Sequence, residues 1–360
     1  MNCYITHTGS FLPNLPIPNS ELPLYLGELD EEADVRRKIL RMNGIKSRHY
    51  ALNKDQTPTH DVYQLAALAA EKCIADDDPG ITYLSAGSTN TPYIGPGISS
   101  VLHSELSRRG ILKRNLEINS NSGICSASAQ ALVNTILAVH CGDHGSGLCV
   151  GVEQPSAILK SSFIVPPDDR KLFPPGSPKS KWFMSVFLRS MLSDGAGAAV
   201  VSAKPSPHQI SYKVNWTYSR SFADEAPLCM TLEARTQLLS QDVGVLAEHM
   251  APSVRKLVEG ALESKGDKIG NYQMILPHLS SFYFKRYMMS VLEEFSDGRE
   301  VAHWTNLETV GNTGAASIFV MLDEFTRTRP PQHGEKVMLF IPESGQFNFV
   351  LISLTAVHPN

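Results

Sequence analysis

Cys125 stands where a polar turn, Asn119 to Gly123, gives way to small and apolar residues that run to Leu137. Ala127, Ala129, Ala131, Leu132, Ile136 and Leu137 are good helix formers or fit a buried helix, so the run predicts a helix with Cys125 at its N-terminus. Unpaired N–H groups and the positive end of the helix dipole there favour thiolate over thiol. A free cysteine is more often a small core residue, so the reading as a nucleophile depends on what else the chain holds. His278 follows Pro277 at the end of a short apolar run, and Asn312 lies in Gly311-Asn312-Thr313-Gly314 before a second small-residue run. A nucleophilic cysteine needs a base or a dipole, and donors for the oxyanion that forms when it attacks a thioester. His278 and Asn312 can donate hydrogen bonds to a second carbonyl or enolate. The backbone N–H groups of Cys125 and Gly345 are the candidate oxyanion hole.

The elements that must position these residues follow an α/β rhythm. Strands are expected at residues 2–8, 81–86, 116–119 and 147–153, with helices at 31–42, 61–74 and 99–108 and the Cys125 helix between them. Six prolines and glycines between Pro166 and Pro178 predict a long irregular insertion, at about 161–181. The segment Ser193-Asp-Gly-Ala-Gly-Ala198 reads as a glycine-rich turn into a strand, built for close backbone packing and not for phosphate, since no lysine follows the glycines. The second half repeats the rhythm, with a helix from about Ser240 to Glu263, strands near 210–218, 273–276, 336–341 and 347–357, and helices at 282–294 and 315–325. Strand, polar turn and small-residue helix at Leu116–Leu137 recur around Thr305–Phe325, which suggests an internal duplication bringing two helix N-termini together.

Composition narrows the classes. The 360 residues include 42% hydrophobic and 19% charged, as expected of a folded soluble protein. The net charge of −4 gives no case for nucleic acid, and no apolar run reaches membrane-spanning length. Six scattered cysteines show no disulfide framework, and the first residues carry no basic-then-apolar leader, so a reducing cytoplasm is expected. Cys141 and His144 have the spacing of half a metal site without a second pair, so no metal is expected. Arg36, Arg37, Lys38 and Arg41, with Lys46, Arg48 and His49 beyond, form a local basic cluster. Such a cluster is either a solvated face or a dock for an acidic carrier protein or a phosphate.

The motifs Gly-Ile-Cys125-Ser-Ala, Pro277-His278, Gly311-Asn312-Thr313-Gly-Ala-Ala-Ser, Ser193-Asp-Gly-Ala-Gly-Ala and Asn43-Gly-Ile-Lys-Ser-Arg48 occur in the order of the ketoacyl-ACP synthase III branch of the thiolase fold, which the chain resembles over nearly its whole length. The resemblance implies two similar βαβαβαββ halves, residues 1–190 and 191–360, in a five-layered α-β-α-β-α architecture. It also implies a Cys125, His278 and Asn312 triad, an acyl carrier protein or coenzyme A thioester as donor, a homodimer and no bound cofactor, with Arg37 and Arg48 on the carrier or phosphopantetheine side.

His103-Ser-Glu105-Leu, Phe187-Leu-Arg189-Ser-Met-Leu-Ser-Asp-Gly, Pro277-His-Leu-Ser-Ser281, Thr305-Asn-Leu and Phe340-Ile-Pro-Glu-Ser-Gly345 resemble the ketosynthase/cyclase subgroup. Its members join a β-ketoacyl thioester to an α,β-unsaturated one, by Claisen condensation and Michael addition, into a 1,3-cyclohexanedione for dialkylresorcinols or stilbenes. His278-Leu-Ser-Ser281 replaces the His-Gln-Ala-Asn of the fatty-acid initiators, consistent with a different second substrate. For such a ring closure Glu153, ending a buried-type strand, is the first candidate base, with Arg189 as its ion-pair partner or as a grip on a product carboxylate. A buried structural ion pair is the alternative for both. Glu105 is a further candidate base, since relatives use a glutamate of this region across a dimer; its alternative is a solvated helix residue. The other readings are an ordinary ketoacyl synthase III, a thiolase-fold acyltransferase, or a non-catalytic partner subunit.

Overall fold

The computed structural model describes residues 3–29, 32–74, 79–164 and 181–359. In chain order it runs β1 (Tyr4–Phe11), β2 (Ile17–Pro18), α1 (Leu22–Leu26), α2 (Glu32–Asn43), β3 (Ser47–Arg48), α3 (Val62–Ile74) and β4 (Tyr83–Ser88). It continues through α4 (Ile98–Arg108), β5 (Glu117–Ser122), α5 (Ala127–Cys141), β6 (Ser146–Glu153), α6 (Lys181–Arg189) and β7 (Gly195–Ser202). Then come β8 (Ser211–Ser221), β9 (Met230–Leu232), β10 (Leu239–Gln241), α7 (Val243–Lys265), β11 (Met274–Pro277) and α8 (Phe282–Glu294). The chain closes with α9 (Leu307–Val310), α10 (Ser317–Thr328), β12 (Lys336–Ile341) and β13 (Asn348–Val357).

Nine strands join in the order β11-β12-β13-β8-β1-β7-β6-β4-β5. The set β5, β4, β6 is parallel, and β7 and β1 follow antiparallel. On the other side β11 and β12 are parallel, and β13 and β8 follow antiparallel. A bridge between Ile275 and His303 stands beside β11 as β5 stands beside β4, so the strand order repeats. The two sets join through β1 and β8 at Tyr4↔Lys213 and Ile5↔Tyr212, and Val214 N–H donates to the Cys3 carbonyl at 2.8 Å.

Side-chain alternation builds the layers, because successive residues of a strand face opposite sides. In β7, Ala196, Ala198 and Val200 join a core with α3 and α4, while Ala199 and Val201 face a second core. In β12, Val337, Leu339 and Ile341 face that same second core, while Met338 and Phe340 join a third with α7 and α8. Ala129, Leu132 and Ile136 of α5, with Ile318, Phe319 and Leu322 of α10, fill the second core. The order is therefore α3 and α4, a sheet, α5 and α10, a sheet, α7 and α8. Two helices reach the middle layer because the strands beneath them carry glycine. A Cβ on Gly87 would lie 2.4 Å from the Ala127 carbonyl, and one on Gly197 2.5 Å from Phe319 Cβ.

Several boundaries differ from the sequence reading. Residues 195–197, expected to be a turn, are the start of β7, buried throughout. The helix expected from Ser240 begins at Val243 behind an Asp242 cap, because 230–241 forms the β9–β10 hairpin first. Most of the insertion expected at about 161–181 lies outside the described residues. Among the described residues no helix is long and apolar enough to cross a membrane.

Candidate active site

Cys125 lies in the turn between β5 and α5, two residues before the first helical residue, and is 9% exposed. It lines two adjoining chambers. The first, about 620 Å³, is walled by Thr89, Glu153, Asn312, Gly314 and apolar side chains from α6, β9 and β10. The second, about 410 Å³, is walled by His278, Leu246, Met250, Phe284 and Met288. Gln241, Ser280 and Ser344 line both. Neither wall includes a lysine or an arginine among the described residues.

His278 prolongs β11: its backbone N–H donates to the Phe340 carbonyl at 2.8 Å. The ring is buried, and among the described residues neither Nδ1 nor Nε2 has a hydrogen-bond partner. Burial pushes its pKa down to about 4, so the imidazole is neutral, holding one N–H donor and one lone pair for whatever enters. Asn312 is clamped by the 191–193 segment. Its N–H donates to the Met191 carbonyl at 3.1 Å, and its carbonyl accepts from Ser193 N–H at 2.8 Å. Its Oδ1 accepts from Gly314 N–H at 2.9 Å, which leaves the carboxamide NH₂ for the chamber it lines.

Glu153 closes β6 and is buried. Its Oε1 accepts from Thr89 N–H at 2.8 Å, Thr89 Oγ1 at 2.6 Å and Ala315 N–H at 3.4 Å. Burial outweighs these donors, and the carboxyl titrates at about 7. Asp194, buried beneath it on Ser156 and Ala51, is likewise raised to about 6 by burial.

Three expectations change here. The thiolate-favouring start of α5 does not prevail: burial first, then the Glu343 and Glu153 carboxyls, push the Cys125 thiol up. The ion pair expected of Glu153 and Arg189 does not form. Glu153 is held by Thr89 and Ala315, while the buried Arg189 donates to the Gly27 carbonyl. Gly345 N–H, expected to face an oxyanion, also acts on the Glu343 carboxyl, whose pKa it helps to lower against burial.

Two other candidates lie elsewhere. Glu105 is on α4, away from both chambers, paired with Arg108 and Arg109 at 2.7 Å each. Burial alone would raise its pKa, but hydrogen bonds from Arg109 and Arg108 carry it below the ordinary carboxylate value. Arg48 is fully buried and donates Nη2 to the Ser190 carbonyl at 3.0 Å, so it is no surface dock; its burial lowers its pKa. Arg37, on α2, is exposed.

The sequence reading missed the β9–β10 hairpin and Glu343. The signal for Glu343 was a single charge in a four-residue turn between two mostly apolar strands.

No protein family model matches the chain. It is 25% identical over 326 residues, 91% of this chain and 90% of the other, to beta-ketoacyl-[acyl-carrier-protein] synthase III of Acholeplasma laidlawii. The crystal structure of Xanthomonas campestris OleA, in a cysteine-to-serine form with lauric acid and lauroyl-CoA bound, superposes with a TM-score of 0.77 at 16% identity over 99% of both chains. FabH, the synthase III of Pseudomonas aeruginosa PAO1, superposes at 0.72 with 19% identity over 99% of this chain and 98% of that one. The chain thus has the thiolase fold, and over nearly its whole length it is similar to the ketoacyl synthase III condensing enzymes.

Proposed function

We propose that the protein is a ketosynthase/cyclase that condenses a β-ketoacyl thioester with an α,β-unsaturated acyl thioester into a 1,3-cyclohexanedione. The carrying observation is Cys125 between two chambers, one holding Glu153 and Asn312, the other an unpartnered His278. In this reading Cys125 sulfur attacks one thioester carbonyl, its proton leaves with the carrier thiol, and an acyl-cysteine remains. Glu153 removes the proton between the carbonyls of the β-ketoacyl partner, already acidic, and the carbanion adds to the alkene carbon β to its carbonyl. Glu153 returns its proton to the enolate that this addition leaves and then takes one from the carbon on the far side of the ketone; that carbon attacks the acyl-cysteine carbonyl, closes the six-membered ring and expels the Cys125 thiolate. His278 and Asn312 donate hydrogen bonds to the developing enolate oxygen.

The donor is an acyl carrier protein or coenzyme A thioester, with Arg37 on the carrier-facing side. We also take the enzyme to be a cytoplasmic homodimer joined along β5, an edge strand whose Glu117, Ile118, Ser120 and Ser122 are exposed. A second reading, a chain-initiating ketoacyl synthase III, is favoured by the likeness to the beta-ketoacyl-[acyl-carrier-protein] synthase III of Acholeplasma laidlawii.

Intact mass after incubation with acyl thioesters should show an adduct that disappears in Cys125→Ala; its absence from the unaltered enzyme would sink both readings and favour a partner subunit. With a β-ketoacyl and an enoyl thioester together, a cyclic diketone supports the cyclase. A linear β-ketoacyl product supports the initiator instead.

A further inference from the structure

Glu343 takes part in none of these steps, yet it lies against the nucleophile. It is 5% exposed in the turn joining β12 to β13, among Phe340, Ile341, Phe347 and Phe349, all buried. A carboxylate in such surroundings is costly unless hydrogen-bonded. Among the described residues its donors come from Ser126, beside Cys125, and from its own turn. Ser126 Oγ donates to Oε2, Gln346 N–H donates to Oε1 at 3.1 Å, and Gly345 N–H also acts on the same carboxyl. Ser126 is the residue between Cys125 and α5, and Asn348 Nδ2 holds its Oγ from a second side at 3.2 Å.

Burial raises the Glu343 pKa against these donors; when ionised, the carboxylate places a negative charge on the first turn of the helix that carries the nucleophile. The positive end of that dipole is already answered, and less of it remains for a thiolate. The titratable groups facing Cys125 are Glu343 from the β12–β13 turn, Glu153 from the end of β6 and the neutral His278 after β11. None of the described chamber residues supplies a cation to offset the two carboxyls.

We propose that Glu343 is a positioning residue that keeps Cys125 a protonated thiol in the empty enzyme, through its grip on Ser126 and Gly345. The resting enzyme is thereby shielded from oxidants and stray electrophiles, which act on thiolates. This rests on Cys125 being the acyl-carrying nucleophile.

The test is the pH dependence of Cys125 alkylation by iodoacetamide, followed on the Cys125 peptide by mass spectrometry. E343Q should lower the thiol pKa by about one unit, making alkylation near neutral pH about tenfold faster, and E343D should restore slow reaction. An E343Q profile that coincides with the unaltered enzyme overturns the proposal. Should E343Q fail to fold by circular dichroism, S126A, which unhooks the carboxylate from the helix, is read instead: faster alkylation supports the proposal and an unchanged rate defeats it. Alkylation needs no substrate. A null result here therefore leaves the acyl-adduct reading standing, while a shifted profile without any acyl adduct defeats only the condensing reading.

Discussion

Glu153 is the residue whose chemistry can be separated from that of the cysteine. As the base for carbon–carbon bond formation, it must be ionised, and its carboxyl titrates at about 7. The condensation rate should rise with pH to a break near that value. In E153Q the break should vanish and kcat fall by about 10²- to 10⁴-fold, while acyl-Cys125 still accumulates on intact mass. An unaltered pH–rate profile in E153Q would remove it from the mechanism. The same shift bears on stability. Below its folded pKa the carboxyl binds more protons in the native than in the unfolded chain, so stability falls as pH rises between the ordinary value of 4.5 and about 7, then levels. Asp194 adds a similar fall between 3.8 and about 6. Denaturant titrations of E153Q, which keeps the Oε1 acceptor, should lose the upper part of that slope; if the slope survives whole, Glu153 is not its source. Cys125, His278 and Asn312 were legible because each follows a local marker: a turn into small residues, a Pro-His pair, a Gly-Asn-Thr-Gly turn. Glu343 and Arg48 were not, because what buries them is a long-range register that local spacing does not encode.

The middle helices depend on their glycines more than on their own sequence. Gly87 of β4 lets the first turn of α5 lie on the sheet, and any side chain there must push the Cys125 turn away. Gly87→Val should destabilise the fold by about 1–3 kcal/mol, as overpacking does, lower the melting temperature, and slow acylation of Cys125 in the folded fraction. A variant with unchanged melting and acylation would show that α5 is free to shift. Helix α3 was legible nearly to the residue, because Asp61 and Gln64 cap it reciprocally, each accepting from the other's N–H at 2.8 and 2.9 Å. The β9–β10 hairpin was not. Its strands are three residues each, too short for alternation to register, although they wall the larger chamber.

For the whole molecule, the repeated strand order supports the duplication read faintly from Leu116–Leu137 and Thr305–Phe325, and β7 lies in the β4–β6 set. The five layers were legible only through the resemblance, since periodicity tells a strand's two faces apart but not which core each meets. If two copies pair along β5, Ile118→Lys on its exposed face should shift sedimentation from dimer to monomer. A dimer that survives this change would place the interface elsewhere. The join between the two sheets carries a consequence for how the chain is made. Strand β1 pairs with residues as distant as Ser202 on one side and Lys213 on the other. During synthesis on the ribosome, a stretch rich in hydrogen-bonding edges must therefore wait, unzipped, until both later strands have emerged. Nascent chains halted before β7 should recruit more chaperone than those halted after β8, which still lack only the partners of β8 and the later core.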